Sequence, residues 1–327
     1  MVMDTDFIFD DKLNFNDKLK RVLDFQLGNQ PVYAKFVKEL ENHTPVSFTK
    51  SEMPLLPIEA FKRTKISTNA TYELLFQSSG TSGMERSKHY IADSSIYRTS
   101  ILKGMSQFFT IDEYVILGYT PGYADNPNSS LIWMIQELIK NSGDENARFL
   151  SLNEPIPSDL LAKIEASNKK VMLFGAAFGL LDMVENFSIK LPFGSVIIET
   201  GGMKTHRREM ERNELHNRLI EGFGINKEHI FSEYGMTELL SQAWSGSDGL
   251  FATPPWMHVS IRNPQNPLKE IPDGKSGLMG IVDLANVYSC SFILTGDKGR
   301  KVGSKFTVEG RYFAENLRGC NFLIDVD

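Results

Sequence analysis

The sequence predicts an α/β protein: mixed, largely parallel sheets flanked by helices, with a β-rich carboxyl-terminal portion. Three observations carry that reading. Residues 11–41 place apolar side chains at helical spacing, and from about residue 71 short apolar runs alternate with amphipathic stretches. The last part of the chain then turns strand-rich, with GIVDLANVYSCSFILTGD (280–297) as its longest apolar–polar run.

Taken in order, DKLNFNDKLKRVLDFQLGNQPVYAKFVKELE reads as helix interrupted around Gly28–Pro31. Pro54 and Pro57 mark a turn before the next element. The apolar runs LLF (74–76), YVILGY (114–119), RFLSL (148–152), VMLFG (171–175) and SVIIET (195–200) read as strands. Between them SSIYRTSILKGMSQFF, SSLIWMIQELIKN and PSDLLAKIEASNKK read as helices, with Trp133 and Met134 in the core. Such alternation implies crossover units, whose ligands gather in loops beyond the strands' carboxyl ends. HRREMERNELHNR (206–218) reads as a solvated helix face, or as a docking surface for a partner.

The chain has 327 residues, 41% hydrophobic and 23% charged, which suits a folded globular body. A net charge of −6 argues against a nucleic-acid binder, which would carry a basic excess. No apolar run reaches the length of about 18 residues that a membrane span needs. The acidic start MVMDTDFIFDDKLNF lacks the pattern of a signal peptide, so a cytoplasmic protein is expected. Two cysteines make no disulfide framework, and the histidines, His206 and His216 among them, show no zinc spacing.

FQSSGTSGMERSKH (76–89) sets six small residues, Ser78, Ser79, Gly80, Thr81, Ser82 and Gly83, ahead of Arg86, Lys88 and His89. Small residues let backbone N–H groups approach an anion, and a following lysine neutralises its charge. A surface turn has the same composition, and the stretch is neither a P-loop nor a dinucleotide turn. His89 either orients this loop or bonds backbone.

Three further segments pair a functional reading with a plain one. In SEYGMTELLSQ (232–242), Tyr234 could stack on a base, Thr237 bond a phosphate and Glu238 hold Mg²⁺. Alternatively Thr237 caps a helix with Glu238 in its first turn. In TGDKGR (295–300), Asp297 either bonds the local turn or grips two ribose hydroxyls. ETGGMK (199–204) offers Gly201 and Gly202 for a planar base to lie against, with Lys204 beside them.

The succession of these segments, closed by Gly310–Arg311, resembles the adenylate-forming superfamily of acyl-CoA synthetases, luciferases and peptide-synthetase adenylation domains. FQLGNQPVYAKF, LPIEAFK, SSGTSGMERSKH and the tail VEGRYFAENLRGC narrow the resemblance to the bacterial acyl-protein synthetases of the luminescence fatty-acid reductase complex. The resemblance implies that ATP and Mg²⁺ convert a carboxylic acid, here a fatty acid, to an acyl-adenylate with release of pyrophosphate. The acyl group then moves to a protein thiol. Ser78 to Gly83 with Lys88 would hold the departing pyrophosphate. Tyr234 would stack on the adenine, Thr237 touch the α-phosphate, Glu238 hold the Mg²⁺ and Asp297 grip the ribose, with Gly235, Met236 and Arg311 also binding ATP.

By the same resemblance residues 1–309 form the adenylate-forming core: a helical segment to residue 60, an α/β part over 61–245 and a β-rich part over 246–309. Residues 310–327 then stand as hinge and tail in place of a small lid domain, because the sequence stops 16 residues after Arg311. Lys204 and Lys88 are the cations expected to replace the lid's lysine. Cys320 matches the family's acyl acceptor, although a lone cysteine is often only a small core hydrophobe. Cys290, inside YSCSFIL, reads as core. Expected partners are the acid and an acyl-carrier or acyl-reductase protein, with no nucleic acid and no membrane insertion. Two alternatives stand beside this: an acyl- or aryl-CoA ligase, and a nucleotide-sensing protein with reduced turnover.

Overall fold

The computed structural model describes residues 3–79, 85–121, 126–201 and 210–312. The chain divides into two compact units: Met1–Ser100, Thr237–Ser241 and Phe251–Asp327 form the first, Ile101–Met236 and Gln242–Leu250 the second.

The first unit opens on two helices, α1 (Phe15–Asn29) and α2 (Pro31–Glu41). The Asn14 side chain accepts the Asp17 N–H at the start of α1. Gln30 ends α1 and caps α2 by accepting the Val32 N–H, with Pro31 in the first turn, which explains the predicted interruption. Next come β1 (Leu56–Pro57), the single turn α3 (Ala60–Arg63) and an antiparallel hairpin of β2 (Leu74–Gln77) and β3 (Lys88–Ile91). Helix α4 (Ser94–Ser106) follows.

The second unit alternates as expected: β4 (Tyr114–Tyr119), α5 (Ser130–Ser142), β5 (Arg148–Phe149), α6 (Ser158–Ala166), β6 (Lys170–Ala176), α7 (Ala177–Asn186), β7 (Val196–Thr200), α8 (Arg212–Phe223), β8 (Ile230–Tyr234) and β9 (Ala243–Ser245). The sheet order is β5-β4-β6-β7-β8-β9, parallel except for β9. One core combines Leu117, Leu173, Ile197 and Ile230 of the strands with Ile164, Leu180, Leu219 and Phe223 of the helices. Strands buried on both faces read as continuous apolar runs, which is why YVILGY and VMLFG were visible in the sequence. Trp133 is half-buried and Met134 buried on α5.

The chain returns to the first unit as β10 (Met257–Asn263), β11 (Asn266–Glu270), β12 (Ser276–Asp283), β13 (Phe292–Val302) and β14 (Lys305–Arg311). Their sheet runs β1-β13-β12-β10-β11, with β14 also on β13, and is antiparallel except where β1 joins β13. Parallel pairing therefore dominates in one unit and antiparallel pairing in the other.

The Ser/Gly loop joins antiparallel strands. Local expectations change at three places. TGD lies within β13, not in a turn, because the apolar run continues into a ladder with β14. Thr237 and Glu238 occupy a turn, which removes the helix-cap reading. His216, expected on a solvated face, is buried on α8, because Leu215, His216 and Leu219 form that helix's inward stripe.

Candidate nucleotide and acyl-activation site

In the first unit the loop is closed at its base by a reciprocal pair. The Ser78 N–H donates to the Ser87 carbonyl at 3.1 Å, and the Ser87 N–H donates to Ser78 Oγ at 3.0 Å. The Ser87 hydroxyl in turn donates to the Glu238 carboxylate. Burial raises the pKa of Glu238; hydrogen bonds from Ser87 and backbone N–H, with the charges of Arg311 and Lys62, act against it. Arg311 also reaches Asp297: the β13–β14 register sets them opposite, and Nε lies 3.6 Å from Oδ1. Asp297 is buried, and its N–H donates to Thr295 Oγ1 at 3.1 Å. Ser78, Glu238, Arg311 and Asp297, scattered over more than two hundred positions, thus form one connected set.

Two carboxylates with a guanidinium beside them suit a polyanion that brings its own cation. Among the described residues no group of three His, Cys, Asp or Glu side chains could hold a metal. A divalent ion at Glu238 would take one protein oxygen and complete its shell with water and phosphate, the usual way Mg²⁺ is held. Lys88 is exposed on β3 opposite Gln77, and Ser79 is exposed. Gly80, Thr81, Ser82, Gly83, Gly202, Lys204, His206 and Cys320 lie outside the described residues. Cys290 is fully buried, and burial pushes its thiol up to about 12, as a core residue requires.

In the second unit, Gly201 follows β7 with φ +75°, and Tyr234 ends the neighbouring β8. The register Thr200 with Glu233 puts Gly201 and Tyr234 at adjacent strand ends. Tyr234 is buried, and its hydroxyl faces Met236 Sδ at 3.9 Å. A Cβ on Gly235 would meet the Glu233 carboxyl, so a larger residue there would have to displace that side chain's end. Burial lifts Glu233 to about 7, with the Glu199 charge adding and a hydrogen bond donated by the Thr200 hydroxyl opposing.

Glu199 accepts from the Ser232 hydroxyl, with His216 Nε2 3.4 Å from the same carboxylate oxygen and 3.3 Å from Ser232 Oγ. Serine, histidine and glutamate meet, but serine and carboxylate share one ring nitrogen and bond each other directly. A nucleophilic triad needs them on opposite nitrogens. The cluster is a buried polar brace.

Sequence reasoning missed Ser87, Lys62 and the groups that hold the Thr237–Ser241 segment. Asp283 accepts from the Leu240 N–H at 2.8 Å and the Ser241 hydroxyl at 2.6 Å. Lys62 sits in the quoted LPIEAFK stretch, yet nothing in the sequence joins it to Glu238.

The architecture is that of adenylate-forming ligases. A 2-hydroxyisobutyryl-CoA ligase in an open conformation with 2-HIB-AMP and CoA superposes with a TM-score of 0.63 at 11% identity, over 90% of this chain and 68% of that one. ATP-bound MatB from Rhodopseudomonas palustris gives 0.53 at 14%, over 75% of this chain and 49% of that one. The particular family follows from sequence: the profile of the acyl-protein synthetase LuxE matches residues 26–325, and the chain belongs to that family. The long-chain-fatty-acid–luciferin-component ligase of Aliivibrio fischeri is 24% identical over 91% of this chain and 82% of its own. The protein of the same description from Vibrio harveyi is 28% identical over 38% of this chain, a match spanning 35% of that relative.

Proposed function

We infer that the chain activates a fatty acid with ATP and passes the acyl group to a protein thiol. The observation that carries this is the Ser78–Ser87–Glu238 connection, with Arg311 beside both Glu238 and Asp297, in a member of the acyl-protein synthetase family. A carboxylate oxygen of the acid bonds to the α-phosphorus as the bond to the β-phosphate oxygen breaks, so pyrophosphate leaves. A thiolate then attacks the acyl carbon, the bond to AMP breaks, and the thiol proton goes to solvent. Bringing anions together calls for fixed positive charge and positioning more than for proton transfer.

In this reading Ser78 to Gly83 and Lys88 receive the pyrophosphate. Thr237 meets the α-phosphate, Glu238 the Mg²⁺ that arrives with ATP, Asp297 and Arg311 the ribose, and Gly201, Gly202 and Tyr234 to Met236 the adenine. Lys204 or Lys88 supplies further positive charge, Cys320 takes the acyl group, and a carrier or reductase protein receives it next.

Acid-dependent pyrophosphate release with ATP and Mg²⁺, over short, long-chain and aryl acids, tests the first step. Long-chain acids are expected to give the highest rate, and Glu238→Gln to lower it by about 100-fold or more. Intact-mass measurement should show an acyl adduct that Cys320→Ser abolishes. An adduct that persists in Cys320→Ser removes that acceptor, and thioester formed only with added coenzyme A favours a CoA ligase, the activity named for the structural neighbours. ATP binding without release from any acid would sink the activation reading.

A further inference from the structure

The Thr237–Glu238 turn is held by the carbonyl oxygens of those two consecutive residues. His89 Nδ1 lies 2.8 Å from the Thr237 carbonyl, and its Nε2 lies 2.9 Å from Asn286 Oδ1. The Asn286 amide nitrogen donates to the Glu238 carbonyl at 2.7 Å and to the Cys290 carbonyl at 2.9 Å. With two carbonyls claiming that nitrogen, the Asn286 amide has one sensible orientation, and its oxygen must face the imidazole. His89 and Asn286 are both fully buried, and the Phe61 ring stands edge-on to the imidazole at 5.6 Å and 90°, fixing the ring plane.

We propose that His89 and Asn286 are positioning residues that set the Thr237–Glu238 turn for ATP. The inference rests on the proposed function for its catalytic meaning, while its geometry stands apart from it. His89 begins one residue after Lys88 on β3, and Asn286 ends the short 3-10 turn Leu284–Asn286. The strand that leaves the Ser/Gly loop is therefore tied, through one ring, to the turn that carries the proposed α-phosphate and Mg²⁺ contacts.

A plain core histidine would need only its volume. Both ring nitrogens face acceptors and a neutral imidazole carries one N–H, so the positioning role assigns that proton to Nδ1, facing the Thr237 carbonyl. Two near-isosteric amides separate the cases. In His89→Asn the amide nitrogen falls near the former Nδ1 and can still donate to the Thr237 carbonyl. In His89→Gln it falls near the former Nε2 and cannot.

The first readout is hydrogen–deuterium exchange of amides 238–241 in the nucleotide-free protein, with thermal midpoints measured alongside. The second is KM for ATP and kcat in acid-dependent pyrophosphate release. With midpoints of the two variants alike, His89→Gln should exchange faster over this segment and raise KM for ATP by about tenfold. His89→Asn, which keeps the bond, should stay within about threefold of the parent; the tenfold loss is the upper part of the range a single net hydrogen bond covers. Equal exchange and equal KM in the two variants would overturn the proposal. If the parent protein releases no pyrophosphate while the exchange pattern appears as stated, the turn is clamped as described and the activation reading is what fails.

Discussion

At the scale of single residues, the buried carboxyl Glu233 carries a pH signature. Its folded-state pKa is raised to about 7 by burial, above the ordinary carboxylate value of the unfolded chain. In the window between those values the folded chain binds the proton and the unfolded chain does not. The stability this group contributes is thus fully present below the unfolded value and is lost as pH rises through about 7. Glu233→Gln keeps an acceptor for the Thr200 hydroxyl and removes the titration. It should match the parent's melting temperature near pH 4.5 and exceed it at pH 8 by several degrees, a difference on the order of a few kcal/mol. Parallel melting curves across that pH range would show that Glu233 does not titrate as a buried acid. Of the residues proposed for the site, Tyr234 and Asp297 could be nominated from their motif surroundings. Ser87 and His89 were not legible: serine and histidine each have many plain uses, and only the folded chain shows Glu238 accepting from one and Thr237 facing the other.

At the scale of elements, the same contrast has a physical origin. Amphipathic helices and doubly buried strands announce themselves through periodicity, so α1, α2, α5, β4 and β6 follow the sequence closely. What periodicity cannot carry is partnership. The hairpin of β2 and β3 looks like any other pair of short apolar runs, and the two-residue β1 joins its sheet through parallel pairing with β13. The amino-terminal helix is likewise fastened to a segment some 260 positions away. Gln26 donates to the Val287 carbonyl at 2.9 Å and accepts the Ser291 N–H at 3.1 Å, wholly buried. Gln26→Leu keeps the approximate volume and orphans these backbone groups, an expected loss of about 1–3 kcal/mol. Urea unfolding monitored by circular dichroism would measure it, and a midpoint unchanged from the parent would mean that water or repacking satisfies the segment.

At the scale of the whole molecule, the proposed nucleotide contacts come from residues as far apart as Ser78 and Arg311, with the second unit's strands threaded between them in sequence. An unfolded chain cannot reproduce such a set, so a ligand that needs it binds the folded state alone and stabilises it by mass action. At about one hundred times its dissociation constant, ATP with Mg²⁺ should add about 2.7 kcal/mol. The size of that increment reports on the site, not on how stable the chain was beforehand. Ser129→Ala removes the cap that accepts the Ile132 N–H at the start of α5, which should cost about 1 kcal/mol. It should lower the melting temperature with and without ATP by the same amount and leave the ATP-induced shift intact. Glu238→Gln should do the reverse, changing the ligand-free midpoint little while cutting the shift, because a neutral amide offers Mg²⁺ a weaker oxygen. A full ATP shift in Glu238→Gln at equal nucleotide would take Glu238 out of the nucleotide site, whatever the family pattern implies.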